Sequence, residues 1–309
     1  VTADSVGLDL KITELFERHD FTMSAEIMPP RNGSGASGVL QQIQQLTEAG
    51  AQYLAVTKGA GGSLRGGSLP IAQTIKTQFR TPCIAHFTCR DLLPEEVENQ
   101  LVDHHLFGIR NILALRGDPP QGTEWKTRKG SYEFAYQLVE QIRELNDGKY
   151  LERSGYMIDS REKTQFCIGV ACYPDHPVAS ERVQFFRKKV EAGAEFAISQ
   201  MLFDPDSYAR FLDETAACSI PVLPGTRLLK SKEQAQRMSK RFQVPVAKSH
   251  LALLPDHDSD ATAEQTLKAF YSLTEKLRAA GAPGIHLFVL GDGELSIEAL
   301  RWLKPFFRI

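Results

Sequence analysis

Glu26, Thr57, His86, Asp118, Tyr173, His176 and Gln200 each stand at or near the end of a short apolar run. Carboxylates, imidazoles, an amide and a phenol brought to one mouth could bind a heterocycle and move a proton; scattered, they could do neither. Glu26 lies in Ser24-Ala25-Glu26-Ile27-Met28-Pro29-Pro30, where two prolines stop strand pairing just beyond it. A partly desolvated acid there suits general acid catalysis, and it equally suits an ion pair with a structural arginine at a rim. Arg116-Gly117-Asp118-Pro119-Pro120 offers a guanidinium, a carboxylate and a glycine that lets the backbone approach a flat ligand, or else a turn with a surface ion pair. Gln200 can satisfy a donor and an acceptor of a heterocycle edge, or bond to neighbouring backbone.

Other groups carry weaker signals. Thr57-Lys58-Gly59-Ala60-Gly61-Gly62-Ser63 has the glycines to present backbone N–H groups to a phosphate, yet its spacing matches neither the P-loop nor the dinucleotide fingerprint, and a flexible connection explains it as well. His86, inside Ile84-Ala85-His86-Phe87-Thr88, reads as a ligand group or as a satisfied core histidine. With His176 it has no third partner at regular spacing, so metal binding is the poorer reading and no metal is expected. Lys189 reads as a solvated helix residue.

The elements that must position these groups alternate along the whole chain. β-rich apolar runs at 22–27, 53–57, 83–88, 111–115, 166–172, 196–201, 221–224 and 285–290 are separated by amphipathic helical stretches at 38–48, 94–105, 132–145, 180–192, 207–215, 232–241 and 263–280. Eight βα units predict an α/β fold, a single (βα)8 TIM barrel, with residues 1–309 as one catalytic domain. In such a barrel ligands sit at the C-terminal ends of the strands, where the polar residues above fall. Polar segments at 117–129 and 146–163 interrupt the rhythm and read as loops.

Composition removes several function classes. Lys plus Arg number 36 against 38 Asp plus Glu, a net charge of -2, so nucleic acid and anionic membranes are not expected partners. No apolar run reaches the ~20 residues of a bilayer-spanning helix. The first residues carry an acid and lack a basic, then apolar, leader, which predicts a cytoplasmic protein. Five cysteines without a Cys-x-x-Cys pair read as free thiols.

In order along the chain, these segments resemble the methylenetetrahydrofolate reductase family. Glu26 to Pro30 resembles its Glu-x-x-Pro-Pro start, Val56 to Ala60 its Val-Thr-x-Gly-Ala element, His86 to Cys89 its His-x-Thr-Cys element, and Leu115 to Asp118 its Leu-Arg-Gly-Asp element. Tyr173 to Pro177 resembles Tyr-Pro-x-x-His-Pro with one residue fewer, Lys189 to Ala194 resembles Lys-x-x-Ala-Gly-Ala, Ser199 to Asp204 resembles Thr-Gln-x-x-Phe-Asp, and Pro224-Gly225 resembles the family's Pro-Gly.

The resemblance implies a barrel holding FAD, with Thr57, His86, Leu115, Arg116, Gly117, Asp118, Tyr173, His176 and Lys189 at the flavin and Glu26, Asp118 and Gln200 at the folate substrate. It implies ping-pong hydride transfer between 5,10-methylenetetrahydrofolate and 5-methyltetrahydrofolate, with NAD(P)H as electron donor. Glu26 and Asp118 would be catalytic, the first as an acid that helps open the methylene bridge, the second tuning the electrostatics of flavin and folate. The alternatives are an FAD-free barrel taking hydride directly from a nicotinamide or deazaflavin, and a flavin-binding subunit served by an electron-transfer partner; a homo-oligomer is also compatible. The chain departs from the family at Thr226 to Lys232, at Gly291-Asp292-Gly293, and at Lys58, where the family has tyrosine.

Overall fold

A computed structural model of the chain describes residues 9–30, 35–59, 66–119, 124, 126–152 and 162–305. Residues 60–63 of the glycine-rich segment, Pro120, and parts of both interrupting loops lie outside them. The eight strands are β1 Thr22–Ile27, β2 Tyr53–Val56, β3 Cys83–Thr88, β4 Asn111–Leu115, β5 Cys167–Cys172, β6 Phe196–Met201, β7 Val222–Thr226 and β8 Gly284–Leu287. They pair in chain order, all parallel, and β8 returns to β1 to close a barrel. Around it run α2 (Ala36–Ala49), α3 (Ser68–Gln78), α4 (Pro94–Leu106), α5 (Ala135–Asn146), α6 (Ala179–Ala192), α7 (Pro205–Glu214), α8 (Lys232–Phe242), α9 (Lys248–Leu251), α10 (Ala263–Ala279) and α11 (Gly293–Leu303), with α1 (Ile12–Arg18) ahead of β1.

Every strand expected from the sequence is present, with shifts of one to three residues at some ends. The seventh runs on to Thr226, because Gly225 and Thr226 pair with His286 and Leu287. Helices α1, α3, α9 and α11 are additional to the expected set; each is short, and α3 mixes Thr, Ser and Pro into its turns, which blurs an apolar stripe. Local chemistry sets several helix starts. Pro94 opens α4, and the Leu93 N–H donates to Glu96 Oε2 at 2.6 Å. Asp204, Ser231 and Thr262 accept from the first-turn N–H groups of α7, α8 and α10.

Strand period two sorts the side chains into two cores. Outward residues such as Met23, Leu54, Ala85, Ile112 and Val170 join the helices in the larger cluster, whereas Tyr53, Ala55, Ile84, Leu113, Cys167, Phe196 and Leu223 fill the barrel itself. Gly169 belongs to the inward set, and a Cβ there would come within 2.3 Å of the Phe196 ring that crosses the lumen. At the N-terminal end α1 acts as a plug. Ile12 and Leu15 join the inner cluster, Phe16 meets Phe196 edge to face, and the Ile12 N–H donates to Asn111 Oδ1 at 2.9 Å. The plug leaves the lumen open at the C-terminal ends of the strands.

Candidate active site at the barrel mouth

The alternation that sends Tyr53 and Ile84 inward also sends Thr57, His86, Gln200, Glu26 and His286 inward, now one layer nearer the mouth. A cavity of about 540 Å³ opens there, within the usual range for a small-molecule site. Its wall includes all of the expected residues: Glu26, Thr57, His86, Leu115, Arg116, Gly117, Asp118, Tyr173, His176, Lys189 and Gln200.

Glu26 sits deep in it, its side chain 10% exposed, with Oε2 3.8 Å from His86 Nε2 and 3.9 Å from His286 Nε2. Among the described residues the structure therefore puts two imidazoles, and no arginine in ion-pair contact, beside this acid. His86 Nε2 is buried without a hydrogen-bond partner among the described residues. Desolvation lowers His86 to about 4, against the opposing pull of Glu26, so the ring is neutral near pH 7.

Two loops meet on the β3–β4 side. The N–H groups of Cys89 and Arg90 donate to the carbonyls of Leu115 and Arg116, continuing the strand pairing past both strand ends, and Arg90 also donates through Nη1 to the Asp118 carbonyl. Gly117 has φ +93°, and a Cβ on it would press at 3.2 Å on both Arg90 and Thr88. The position therefore takes glycine for two separate reasons.

Across the mouth, Lys189 is not the solvated residue its helical spacing suggests. Its ammonium donates to the Ala171 carbonyl at 2.7 Å and lies 5.6 Å from the Tyr173 ring centre. Burial lowers it to about 8, opposed by Cys172 and assisted by Arg116. His176 stands at the rim, where it receives the Val178 N–H at 3.3 Å; Arg182 holds its carbonyl at 2.8 Å while pairing with Glu214. Gln200 reaches the cavity, but its Oε1 accepts from the Met201 N–H at 2.8 Å, so the backbone alternative describes the oxygen of this amide.

Several lining residues escape a reading of the sequence. His286 and Phe288 come from the eighth strand's run, where they look like two more core positions. Phe134 lies between Tyr136 and Phe185 in a stack with centroid separations of 5.4 and 5.7 Å; the spacing of 134 and 136 at the start of a helix gives no hint of it. Lys58 lies 4.2 Å over Phe87, donates to Gln100 Oε1 at 2.6 Å, and is lowered to about 8 by burial. The departures at 226–232 and 291–293 turn out to touch one another. Arg227 and Lys230 both pair with Asp292, joining the loop after β7 to the loop after β8.

Comparison with known proteins places this geometry. The family model described as methylenetetrahydrofolate reductase matches residues 11–304. The chain is 29% identical to methylenetetrahydrofolate reductase 1 of Schizosaccharomyces pombe, over 87% of this chain and 43% of that protein. It is 27% identical to methylenetetrahydrofolate reductase (NADH) 1 of Arabidopsis thaliana, over 94% and 49%. With 5,10-methylenetetrahydrofolate reductase of Escherichia coli it shares 28% identity over 89% and 88%. The chain thus spans about half the length of the yeast and plant relatives and most of the bacterial one. Among solved structures, an uncharacterized protein from Clostridium thermocellum that binds two copies of 5-methyl-5,6,7,8-tetrahydrofolic acid superposes with TM-score 0.61 at 12% identity, covering 96% of this chain and 100% of that one. This likeness speaks to the fold. With the family model matching from residue 11 to residue 304, the chain belongs to the methylenetetrahydrofolate reductase family.

Proposed function

We propose that residues 1–309 form one catalytic barrel domain of a cytoplasmic, flavin-dependent oxidoreductase that interconverts 5,10-methylenetetrahydrofolate and 5-methyltetrahydrofolate, with a nicotinamide as electron donor. The observation that carries this reading is convergence: the acid Glu26, the amide Gln200 and the Arg116-Gly117-Asp118 turn, from strands far apart in sequence, line one cavity with the cation of Lys189. Among the described residues no helix is long and apolar enough to cross a membrane.

The residues fit FAD on two counts. His86 Nε2 is buried at the cavity wall with no hydrogen-bond partner among the described residues, as a group reserved for a ligand would be, and the Lys189 ammonium lines the same cavity as a cation for an anionic ligand. Thr57, His86 and residues 115–118 would hold the flavin on one side, with Tyr173, His176 and Lys189 on the other. FAD supplies reversible two-electron chemistry, so that donor and folate exchange a hydride in turn.

The protein's own part is binding and proton placement. Glu26, enclosed beside two imidazoles and little exposed to water, donates a proton to the nitrogen that leaves the methylene carbon. Gln200, its oxygen tied to the backbone, offers its amide N–H groups to the pterin. Asp118, its carbonyl held by Arg90, would offer its carboxylate at the cavity wall to tune the electrostatics of flavin and folate. The stack of Phe134, Tyr136 and Phe185 gives the rim a flat apolar face and limits access of water.

An absorption spectrum of the purified protein tests the reading, followed by anaerobic NADH and then 5,10-methylenetetrahydrofolate. Flavin bands that NADH bleaches and folate restores are the expected result. A colourless protein that does not take up added FAD would favour direct transfer from a nicotinamide or deazaflavin. A yellow protein that NADH leaves unbleached would point to an electron-transfer partner.

A further inference from the structure

We infer that Ser199 is a positioning residue: its hydroxyl holds a bulge in β6 that orients the Gln200 amide toward the pterin. The inference rests on the reading of Gln200 as a folate contact.

The pairing of β6 with β7 begins as a regular parallel ladder, with Ala197 opposite Val222 and Ile198 opposite Leu223, and resumes with Met201 opposite Gly225. Ser199 and Gln200 of β6 thus face Pro224 alone on β7, the two-against-one count of a bulge. In the regular part the Ala197 N–H donates to the Pro221 carbonyl at 2.8 Å. Carried forward in that register, the Gly225 carbonyl would accept from the Met201 N–H and the Gly225 N–H would donate to the Ser199 carbonyl. The extra residue moves both. The Gly225 carbonyl accepts from the Leu202 N–H at 2.8 Å, and the Gly225 N–H donates to Ser199 Oγ at 2.9 Å. The Ser199 hydroxyl gives its own proton to the Gln200 carbonyl at 2.7 Å. At 2% exposure Ser199 is shielded from water that would compete for these bonds.

The displaced Met201 N–H is received by Gln200 Oε1 at 2.8 Å. A backbone N–H can only donate, so the atom facing it is the amide oxygen, and both N–H groups of Nε2 are left for the cavity that Gln200 lines. The same bulge seats a second cavity group. A Cβ on Gly225 would come within 2.4 Å of the Ser199 carbonyl oxygen and 2.5 Å of the Phe288 ring, so only glycine lets β6 and Phe288 approach this closely. In Ser199→Ala the Gly225 N–H loses its acceptor. The Met201 N–H can then return to the Gly225 carbonyl, which releases Oε1 and with it the direction of the amide.

Hydrogen exchange read by mass spectrometry over Val222–Thr226 tests the bulge without turnover. Exchange should be about ten-fold faster in Ser199→Ala than in the wild type, the worth of about one hydrogen bond, and Ser199→Thr, which keeps the hydroxyl, should restore it. Stopped-flow reoxidation of the reduced flavin then tests the function. Ser199→Ala should raise the concentration of 5,10-methylenetetrahydrofolate that half-saturates reoxidation about ten-fold, with the limiting rate changed less, and Ser199→Thr should recover most of the loss. In a Gln200→Ala background the same substitution should add nothing, because Ser199 acts through that amide. Flavin content reports whether each variant is folded. Unchanged exchange in Ser199→Ala overturns the bulge, and an unchanged half-saturating concentration, or losses that add in the double variant, overturns the role of Ser199 while the functional reading stands. A wild type whose reduced flavin the folate does not reoxidise overturns the functional reading, and the role of Ser199 with it.

Discussion

Glu26 stands between two imidazoles. His86 could be anticipated, since it lies toward the end of the third apolar run, four residues beyond Pro82, but His286 sits in Gly284-Ile285-His286-Leu287-Phe288, a context that reads as core. Only closure of β8 on β1, which pairs Ser24 with His286, brings the second imidazole to the acid. Replacing Glu26 with Gln keeps the shape of the side chain and removes the transferable proton. The folate half-reaction should slow by about 10²-fold or more, the usual worth of a positioned general acid, with flavin reduction by the donor nearly intact. Stopped-flow of the two half-reactions measures this, and equal slowing of both would reassign Glu26 to holding the mouth together.

At the scale of elements, the mouth is shaped by loops tied in pairs. The loops after β3 and β4 are joined by backbone bonds, and those after β7 and β8 by Arg227, Lys230 and Asp292. Burial works against the Asp292 charge, yet the bonds from Lys230 and Arg227 outweigh it and hold the carboxyl below its usual range. In the sequence, the two segments look like unrelated departures from the family pattern. In the fold they are partners, each supplying the charge that the other buries, and Phe288 and Leu290 on the second loop face the cavity. The two cations should not contribute equally. Asp292→Ala leaves the Arg227 guanidinium, whose side chain is 10% exposed, without its carboxylate, and should lower stability by on the order of 3 kcal/mol. Lys230→Ala removes a side chain 37% exposed, and the loss should stay below ~1 kcal/mol. Urea unfolding of both variants separates the two; similar losses would mean that the guanidinium finds another partner.

The whole molecule has an open end that binds and a closed end that holds the barrel together. At the closed end Asp9 is 3% exposed and accepts from the Cys83 N–H and from Asn111 Nδ2. Burial raises it to about 7, against the opposing pull of those bonds and of Lys76 and Arg110. Because the folded value lies above the ordinary 3.8, the stabilising contribution is fully present below that pH and is lost as pH rises toward 7. His86, His104 and His250, each lowered to about 4 by burial, act oppositely and cost stability as pH falls below 6.5. The total profile mixes these trends, and a comparison with Asp9→Asn isolates one of them. Relative to the variant, the wild type should lose on the order of 3 kcal/mol between pH 4 and pH 7, measured by urea unfolding at several pH values. A constant difference across that range would mean that Asp9 is ionised throughout.

The sequence by itself determined the α/β alternation: eight β-rich apolar runs between amphipathic helices favour a closed (βα)8 barrel over an open doubly wound sheet, and closure of β8 on β1 decides between them. It also placed the polar residues at strand ends, since a local pattern decides which residue is the last inward one before a loop. Tertiary structure decided what those residues meet. Ser24 and His286 lie 262 residues apart, Arg227 and Asp292 lie 65 apart, and Lys189 leaves solvent only because α6 packs against β5. Contacts of that kind depend on barrel closure and register, which arise from the summed packing of all eight strands, and no local window of sequence carries that sum.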